Sequence, residues 1–389
     1  MKKTFKYFPI LKTRPSENRA YDKLSSSIKD QILPIIEMTG ARSYKYPSNH
    51  KTMAGVVRPG DINKKIESIL ELVQNRPFIL DITDDESLMY DGINTIKNHD
   101  NGYGEWRKFL TKNENFKNLV IPTIQFDTRY LTDTFVQIEE LNKSFKYLAL
   151  KISAFKFNNS NGNCSNLFNL TNLSANNIIQ SIIEKITEKI GNNKLILILD
   201  FGYINDFNKY KNLIDQCLEK LTDTSMLKTL IPVSSSFPSF VPSKSEYSIE
   251  AQEEKIFDYI KSTNKYTNIN YGDYASLHPV KYPTSGGGWI PRIDFIVNDS
   301  DILYSYKRAE SDKKNKNNSD AYQDLAISVI NDPTYGRIND LNVWGDNQIY
   351  LKSKGENNGN APSFWISVRA NLYMTIVCSR ISSSLVLDL

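Results

Sequence analysis

The chain is organised around one stretch, Tyr271-Gly272-Asp273-Tyr274-Ala275-Ser276-Leu277-His278-Pro279, which brings a carboxylate, a hydroxyl and an imidazole together within nine residues. Before this stretch, short apolar runs alternate with segments that have helical spacing. After it, the alternation stops and a different kind of sequence begins. The stretch therefore predicts the last strand of a repeated strand–helix series, near residues 269–275.

Seven earlier apolar runs precede this stretch, and each is nearly continuous rather than interrupted by polar residues. Such runs are typical of parallel strands that are buried on both faces. Helical segments separate them; between residues 62 and 73, for example, apolar side chains recur every three or four positions. The runs are 7–12, 32–37, 77–82, 119–125, 147–152, 194–200 and 230–234.

Eight strand–helix units in about 275 residues match the size of a (β/α)8, or TIM-type, barrel. An open doubly wound sheet is the alternative, but it needs a glycine-rich phosphate-binding turn after an early strand. The first run instead ends Lys12-Thr13-Arg14-Pro15. Because Pro9, Pro34, Pro122 and Pro232 lie in or beside strands, we predict an irregular α/β barrel rather than a perfectly regular one.

The predicted barrel covers residues 1–280, and residues 281–389 are expected to form an elaboration packed on it. Within that elaboration, the segments 292–297 and 302–308 flank the turn-rich tetrad Asn298-Asp299-Ser300-Asp301, which predicts a β-hairpin. The apolar stretch 364–381 predicts a closing helix.

Composition excludes several classes of protein. With 48 basic and 44 acidic residues, the net charge of +4 is too small to imply a nucleic-acid or membrane partner by itself. No apolar run approaches the roughly 18–20 residues that span a bilayer, and the first residues lack the features of a signal peptide. Three distant cysteines, Cys164, Cys217 and Cys378, have no metal-binding spacing. We therefore expect a reduced, cytoplasmic protein without disulfides.

Short motifs occur in order along nearly the whole chain: Pro9-Ile10-Leu11-Lys12, Leu33-Pro34-Ile35-Ile36-Glu37, Leu80-Asp81, Leu199-Asp200-Phe201-Gly202, Gly272-Asp273-Tyr274 with His278-Pro279, and Trp344-Gly345-Asp346. Together they resemble the "beta protein" family, whose members occur in mobile elements and near phage-defence genes. The resemblance implies a barrel-like fold and a link to conflict with phages, but no established reaction. Near the C-terminus, the family has a histidine pair where this chain has Leu372-Tyr373.

Polar and ionisable residues repeatedly end the apolar runs. In a parallel barrel these carboxyl ends meet at one face, where active sites lie. The carboxylates could hold a divalent cation, the lysines could bind an anionic group, and His278 could act as an acid or base. Salt bridges that fix loops to the barrel rim are the structural alternative. The residues are Lys12, Glu37, Asp81, Gln125, Lys151, Asp200, Ser234 and Asp273, with His278 shortly after the last.

We assign candidate roles on this basis. Asp200, Asp273 and His278 are the candidate catalytic residues, although His278 could equally hold a backbone carbonyl. The candidate ligand-binding residues are Lys12, Glu37, Asp81, Lys151, Arg292 and Arg308.

The C-terminal part offers a second kind of surface. Arg292, Lys307 and Arg308 are interleaved with Trp289, Tyr304 and Tyr306, a composition that can bind single-stranded nucleic acid by phosphate contact and stacking. An exposed hairpin face normally carries the same residue types.

Two hypotheses about function follow. In the preferred one, the chain is an accessory or effector protein of a phage-defence or mobile-element system. Its polar pocket would recognise an anionic ligand or a partner protein encoded in the same locus. In the alternative, it is a metal-dependent hydrolase, a phosphodiesterase or nuclease, that uses Glu37, Asp81, Asp200 and Asp273 with His278.

Overall fold

The computed structural model describes residues 2–48, 52–53, 55–157, 164–166, 178–239, 241, 246–266, 268–280, 290–309, 318–336, 342–356 and 359–388. The strands are β1 (Lys2–Phe5), β2 (Tyr7–Lys12), β3 (Ile35–Met38), β4 (Tyr44–Lys45), β5 (Val57–Arg58), β6 (Phe78–Ile82), β7 (Val120–Pro122), β8 (Leu148–Ser153), β9 (Phe155–Phe157), β10 (Cys164–Asn166), β11 (Leu195–Tyr203), β12 (Thr229–Ser235), β13 (Glu246–Glu250), β14 (Tyr271–Asp273), β15 (Arg292–Asn298), β16 (Ile302–Arg308) and β17 (Leu385–Asp388). The helices are α1 (Pro15–Asp22), α2 (Ser26–Lys29), α3 (Lys64–Val73), α4 (Ile93–Ile96), α5 (Asp100–Thr111), α6 (Glu114–Leu119), α7 (Leu131–Asn142), α8 (Ile178–Ile190), α9 (Phe207–Leu218), α10 (Glu253–Ser262), α11 (Asn318–Ile330), α12 (Trp344–Ser353) and α13 (Pro362–Arg380).

Two parallel sheets form the centre of this mixed α/β fold. One has five strands in the order β14-β2-β3-β6-β7, and the other has three in the order β12-β11-β8. Their strands correspond to the eight apolar runs, so the predicted α/β class and parallel pairing are confirmed. Two isolated parallel bridges, Thr123 with Ala149 and Leu230 with Ile269, lie between the edge strands of the two sheets.

One face of both sheets contributes to a single apolar cluster, and we call this face the inner face. Its side chains come from alternate strand positions, because successive residues of a strand point to opposite sides. The opposite, outer face packs against the helices in a second, larger cluster. The inner-face cluster contains Phe5, Phe8, Ile10, Leu33, Ile35, Ile79, Ile121, Tyr147, Ala149, Ile196, Ile198, Ile231, Val233, Tyr274, Leu385 and Leu387.

The two ends of the chain meet in an antiparallel pair, β1 with β17, in which Lys2 lies opposite Asp388. Phe5 from β1 and Leu387 from β17 belong to the inner-face cluster. This pair therefore covers the inner face near the amino ends of the parallel strands and leaves the carboxyl ends for polar side chains.

The C-terminal part is tied to the parallel strands through α13. The predicted hairpin is β15 and β16, with β13 as a third strand beside β16. From α13, Asn371 donates to the Ala20 carbonyl at 3.0 Å and Tyr373 donates to Asp273 at 2.9 Å. Of the helices in the described ranges, none combines the length and the apolarity needed to cross a membrane.

Gly272 provides a test of the inner-face packing. A Cβ atom at this position would lie 2.7–2.8 Å from Val233, Ile231 and the Phe8 carbonyl oxygen. We expect Gly272→Ala to lower the free energy of unfolding by about 1–3 kcal/mol, the usual cost of overpacking. Urea denaturation measures this change.

Gly336 is the matched control, because a Cβ atom there would meet no heavy atom of the described residues within 4 Å. Gly336→Ala should leave the urea midpoint almost unchanged. Equal midpoints for the two variants would contradict the described packing around Gly272.

Candidate functional site

Buried charges lie together on the inner face at the carboxyl ends of the parallel strands. The Lys12 ammonium pairs with Glu37, and the Lys151 ammonium pairs with Asp81 and lies 3.6 Å from the second oxygen of Glu37. Their side chains are only 4–7% exposed. We call Lys12, Glu37, Asp81, Lys151 and the neighbouring Asp200 the strand-end network.

Strand alternation places these residues on the inner face. Each one follows an apolar inner-face residue by two positions, so its side chain points to the same side. The pairs are Ile10 and Lys12, Ile35 and Glu37, Ile79 and Asp81, Ala149 and Lys151, and Ile198 and Asp200.

The ion pairs of Lys151 connect the two sheets. Lys151 belongs to β8 in the three-stranded sheet, whereas Glu37 and Asp81 belong to β3 and β6 in the five-stranded sheet. A second contact also joins the two sheets: the hydroxyl of Tyr274, which follows β14 of the five-stranded sheet, donates to Asp200 of β11 at 2.6 Å. Polar contacts therefore join the sheets at this end.

Opposite charges keep Glu37 and Lys151 ionised at neutral pH. Burial would raise the pKa of Glu37, but the ammonium groups of Lys12 and Lys151 outweigh burial and lower this pKa to about 2. Burial would lower the pKa of Lys151, yet Asp81 and Glu37 raise it well above its usual value. Glu37 and Lys151 are therefore ionised despite their burial.

Hydroxyl and amide groups complete the network, and most of them were not predicted from the sequence. Thr83 donates to Glu37 at 2.6 Å, and Thr123 donates to Asp81 at 2.9 Å. Gln125, which was among the expected strand ends, donates to Thr123 at 3.0 Å. The alternation that identified Asp81 also points to Thr83, because the two residues are two positions apart.

A break in β11 positions Asp200. The register of β11 against β12 shifts between Asp200 and Tyr203, and Gly202 adopts a left-handed φ of 64°. This turn brings the Gly202 N–H to within 2.8 Å of Asp200 Oδ1. Burial raises the pKa of Asp200, although Lys151 and the Tyr274 hydroxyl act in the opposite direction.

Asp273 lies elsewhere. The sequence suggested that Asp273 lies beside Lys12 and Glu37 at the strand ends, and this prediction was wrong. Its neighbour Gly272 faces the inner side of the sheet, so the Asp273 side chain points to the outer face. It accepts hydrogen bonds from Tyr7 at 2.5 Å, Tyr373 at 2.9 Å and the Ala275 N–H at 2.7 Å. Burial raises the pKa of this fully buried carboxyl to about 7. Asp273 connects β14 with α13.

His278 makes contacts within its own loop and with Tyr203. Burial lowers the pKa of its imidazole, and the positive charge of Lys12 acts in the same direction. Nδ1 of His278 lies 3.2 Å from the Val280 N–H, and its ring centroid is 4.9 Å from that of Tyr203.

Arg292 and Arg308 belong to the antiparallel sheet and face each other in the β15–β16 register. Arg292 Nε lies 2.9 Å from Asp294 Oδ1. The aromatic residues Tyr304 and Tyr306 are each only 3% exposed, so their rings are not accessible for base stacking. Trp289, the third aromatic residue of the suggested nucleic-acid surface, lies outside the described residues.

The carboxylates suggested as metal ligands do not form one donor set among the described residues. Among the described residues, no three His, Cys, Asp or Glu side chains lie close enough to hold a metal ion. Glu37 and Asp81 are instead paired with lysines, and Asp273 is bonded to tyrosines on the other face. The donor set of a divalent-cation site is therefore not assembled in the part of the chain that the structure describes.

Comparison with known proteins identifies the family. A family model described as "Beta protein" matches residues 7–379. The chain belongs to the beta protein family. The family match includes all eight parallel strands and the whole strand-end network.

One relative of this beta-family chain is "Protein beta" of Enterobacteria phage P4. The two are 28% identical over 388 residues, which cover 95% of this chain and 92% of the relative. The suggested family resemblance and its association with phages are thereby confirmed. No solved structure matches the chain.

Glu37 provides a test of the network energetics. Replacing Glu37 by Gln leaves the Lys12 ammonium buried without its carboxylate, and we expect a loss of about 3–5 kcal/mol in the free energy of unfolding at pH 7. The folded-state pKa of about 2 lies below the ordinary value of 4.5, so this stabilisation is present above pH 4.5 and is lost as pH falls toward 2. Urea denaturation at pH 7 and pH 3 measures the difference.

The control is Glu140→Gln, which removes surface ion pairs with Lys143 and Arg107. Surface ion pairs contribute little to stability, so this variant should stay near the wild type at both pH values. If Glu37→Gln lowered the free energy of unfolding at pH 7 no more than Glu140→Gln does, the ion pairs of the network would not stabilise the fold.

Proposed function

We propose that this beta-family chain is an accessory or effector protein of a phage-defence or mobile-element system, and that it acts by binding. Family membership and the phage P4 relative support the phage association. The site is the strand-end network, because five buried ionisable groups at one edge of the sheets are costly unless they are paired or used. The network is the single observation that carries the proposal.

We further propose that the two parallel sheets form one irregular (β/α)8 barrel over residues 1–280, with residues 281–389 packed on it. The bridges between Thr123 and Ala149 and between Leu230 and Ile269 support this closure. The single inner-face cluster, which takes side chains from both sheets, supports it as well. In such barrels the carboxyl ends of the strands form the ligand-binding face, which is where the network lies.

The paired state of the lysines defines how recognition would work. Lys12 and Lys151 are already neutralised by Glu37 and Asp81, so an anionic group of a ligand or partner protein binds by competing with these carboxylates. Tyr274 and the Asp200 carboxyl offer hydrogen bonds beside them. This exchange favours an anion over a cation, and binding over metal-dependent hydrolysis.

Phage plating tests the proposal. The chain, expressed from its own locus, should alter the plating efficiency of an infecting phage. We expect Lys12→Gln and Asp200→Asn to weaken this effect at least about tenfold, the change that corresponds to a loss of about 1.4 kcal/mol in binding. Circular dichroism and urea denaturation confirm that each variant is folded.

Lys146→Gln is the matched control, because Lys146 forms an exposed pair with Asp388 at the opposite end of the strands. It should retain the wild-type effect. If both folded network variants also retained it, the strand-end network would not be the site. Hydrolysis of nucleic acid by the purified wild type with magnesium or manganese would contradict a role in binding alone.

A further inference from the structure

A hairpin of two short strands, β4 and β5, connects the carboxyl end of β3 with α3. One carboxylate anchors its base: Asp91 Oδ2 accepts hydrogen bonds from Ser43 Oγ at 2.6 Å and from the Gly60 N–H at 2.7 Å. Every described residue from 42 to 59 is exposed except Tyr46, which is half-buried. The hairpin therefore projects into solvent from the end of β3 that carries part of the strand-end network.

This hairpin exposes hydrophobic surface that an isolated chain would normally bury. A two-stranded hairpin with both faces in water is marginally stable at best. Four of the eleven large hydrophobic side chains that are exposed among the described residues belong to it, namely Tyr44, Met53, Val56 and Val57. Tyr44 is 55% exposed and Val57 is 56% exposed. Such a concentration of exposed hydrophobic side chains indicates a contact surface.

The net positive charge of the chain is concentrated in the same segment. Residues 41–60 contain Arg42, Lys45, Lys51 and Arg58 and no acidic residue, so the rest of the chain has 44 residues of each sign. A net charge of +4 is small for the whole chain, but it produces a strong local potential when one hairpin carries all of it. The segment is therefore complementary to an anionic partner.

The cations of this surface lack carboxylate partners in the part of the chain that the structure describes. Lys45 and Arg58 form no ion pair there. Arg42 contacts Tyr90, with its guanidinium carbon 5.1 Å from the ring centroid. Lys65 of α3, which follows the hairpin, donates to two threonine hydroxyls at 3.3 and 3.4 Å. These positive charges are thus available to an anion without the displacement of a carboxylate.

Aromatic and basic side chains share one face of the hairpin. Tyr44 lies directly opposite Arg58 in the antiparallel register, and opposed residues point to the same side. Tyr46 comes two positions after Tyr44, so it also points to that side. The rings of Tyr44 and Tyr46 meet edge to face with their centroids 5.0 Å apart. This face therefore presents tyrosine rings beside a guanidinium group.

We propose that the β4–β5 hairpin binds single-stranded nucleic acid. Proteins bind such strands by combining cations, which contact the phosphates, with exposed aromatic rings, on which the bases stack. Arg42, Lys45 and Arg58 would contact phosphates, and the ring of Tyr44 would stack on a base. The hairpin of β15 and β16 does not meet this requirement, because its tyrosines are buried.

The placement of the hydrophobic residues favours nucleic acid over a membrane. A hairpin that enters a lipid surface needs large apolar side chains at the end that reaches the acyl chains. The connection between the two strands, residues 47–55, is mostly polar, and Met53 is its one large apolar residue. Tyr44 and Val57 lie within the strands instead. An acidic protein segment would match the cations, whereas flat rings beside cations match bases linked by phosphates.

Fluorescence anisotropy with labelled oligothymidine and oligouridine tests the hairpin. The full chain is titrated at several salt concentrations, and we expect saturable binding that weakens as salt rises, because phosphate contacts release counterions. Tyr44→Ala should raise the Kd about tenfold, as expected for one lost stacking contact. Tyr44→Phe keeps the ring and should keep the wild-type Kd. The oligonucleotide that binds more tightly identifies the strand as DNA or RNA.

Arg58→Gln tests the phosphate contacts. It should reduce the slope of log K against log salt by about 0.7, the contribution of one phosphate contact on a single strand. Lys146→Gln is its control, because Lys146 is paired with Asp388 at the opposite end of the strands. This variant should keep the wild-type slope.

Tyr350→Ala is the matched control for the ring. Tyr350 is 37% exposed, and the Lys354 ammonium lies 5.6 Å from its ring centroid, so it presents a ring beside a cation outside the hairpin. This variant should bind both oligonucleotides as the wild type does. Urea denaturation confirms that every variant is folded.

The inference is overturned if Tyr44→Ala binds the oligonucleotides as tightly as Tyr350→Ala does. Equal competition by polyglutamate would also overturn it and would indicate an acidic protein partner. Binding to vesicles of phosphatidylcholine and phosphatidylserine, but to neither oligonucleotide, would overturn it in favour of a membrane. The hairpin is a different surface from the strand-end network and is tested without phage plating, so the result does not depend on whether the proposed function holds.

Discussion

The structure depends on the Lys151 ammonium, which lies between the carboxylates of Glu37 and Asp81. A buried ammonium without a carboxylate is strongly destabilising, so the strands that carry these residues must keep their positions relative to one another. A slip of one residue would turn each charge toward the apolar outer face. The ion pairs therefore fix the register of β3, β6 and β8 and hold the two parallel sheets together where the strands end.

Strand alternation also separates two polar sets that are adjacent in sequence. Gly272 and Tyr274 face inward, and Tyr274 contacts Asp200 of the network. Asp273 faces outward and binds the hydroxyl of Tyr373 from α13. The inner set belongs to the strand-end network, whereas the outer set fastens the C-terminal helix to the parallel strands.

Much of this arrangement could be predicted from the sequence, because each buried parallel strand is a short apolar run and its end is marked by a charge. The same pattern identified Lys12, Glu37, Asp81 and Lys151. It did not give the direction of the Asp273 side chain, because neither Gly272 nor Tyr274 reveals by residue type that it faces inward. The pattern of apolar runs also could not predict contacts between distant segments. Arg369 and Asp294, for example, are 75 positions apart, and no local period relates them.

A double-mutant cycle on Lys151 and Asp81 tests most directly whether this ion pair holds the sheets together. The free energy of unfolding is measured in urea for Lys151→Met, for Asp81→Asn and for the double variant. If the pair joins the sheets as described, the double variant should lose less than the sum of the single losses, with a coupling energy of about 1–3 kcal/mol. Losses that add within about 0.5 kcal/mol would contradict the account.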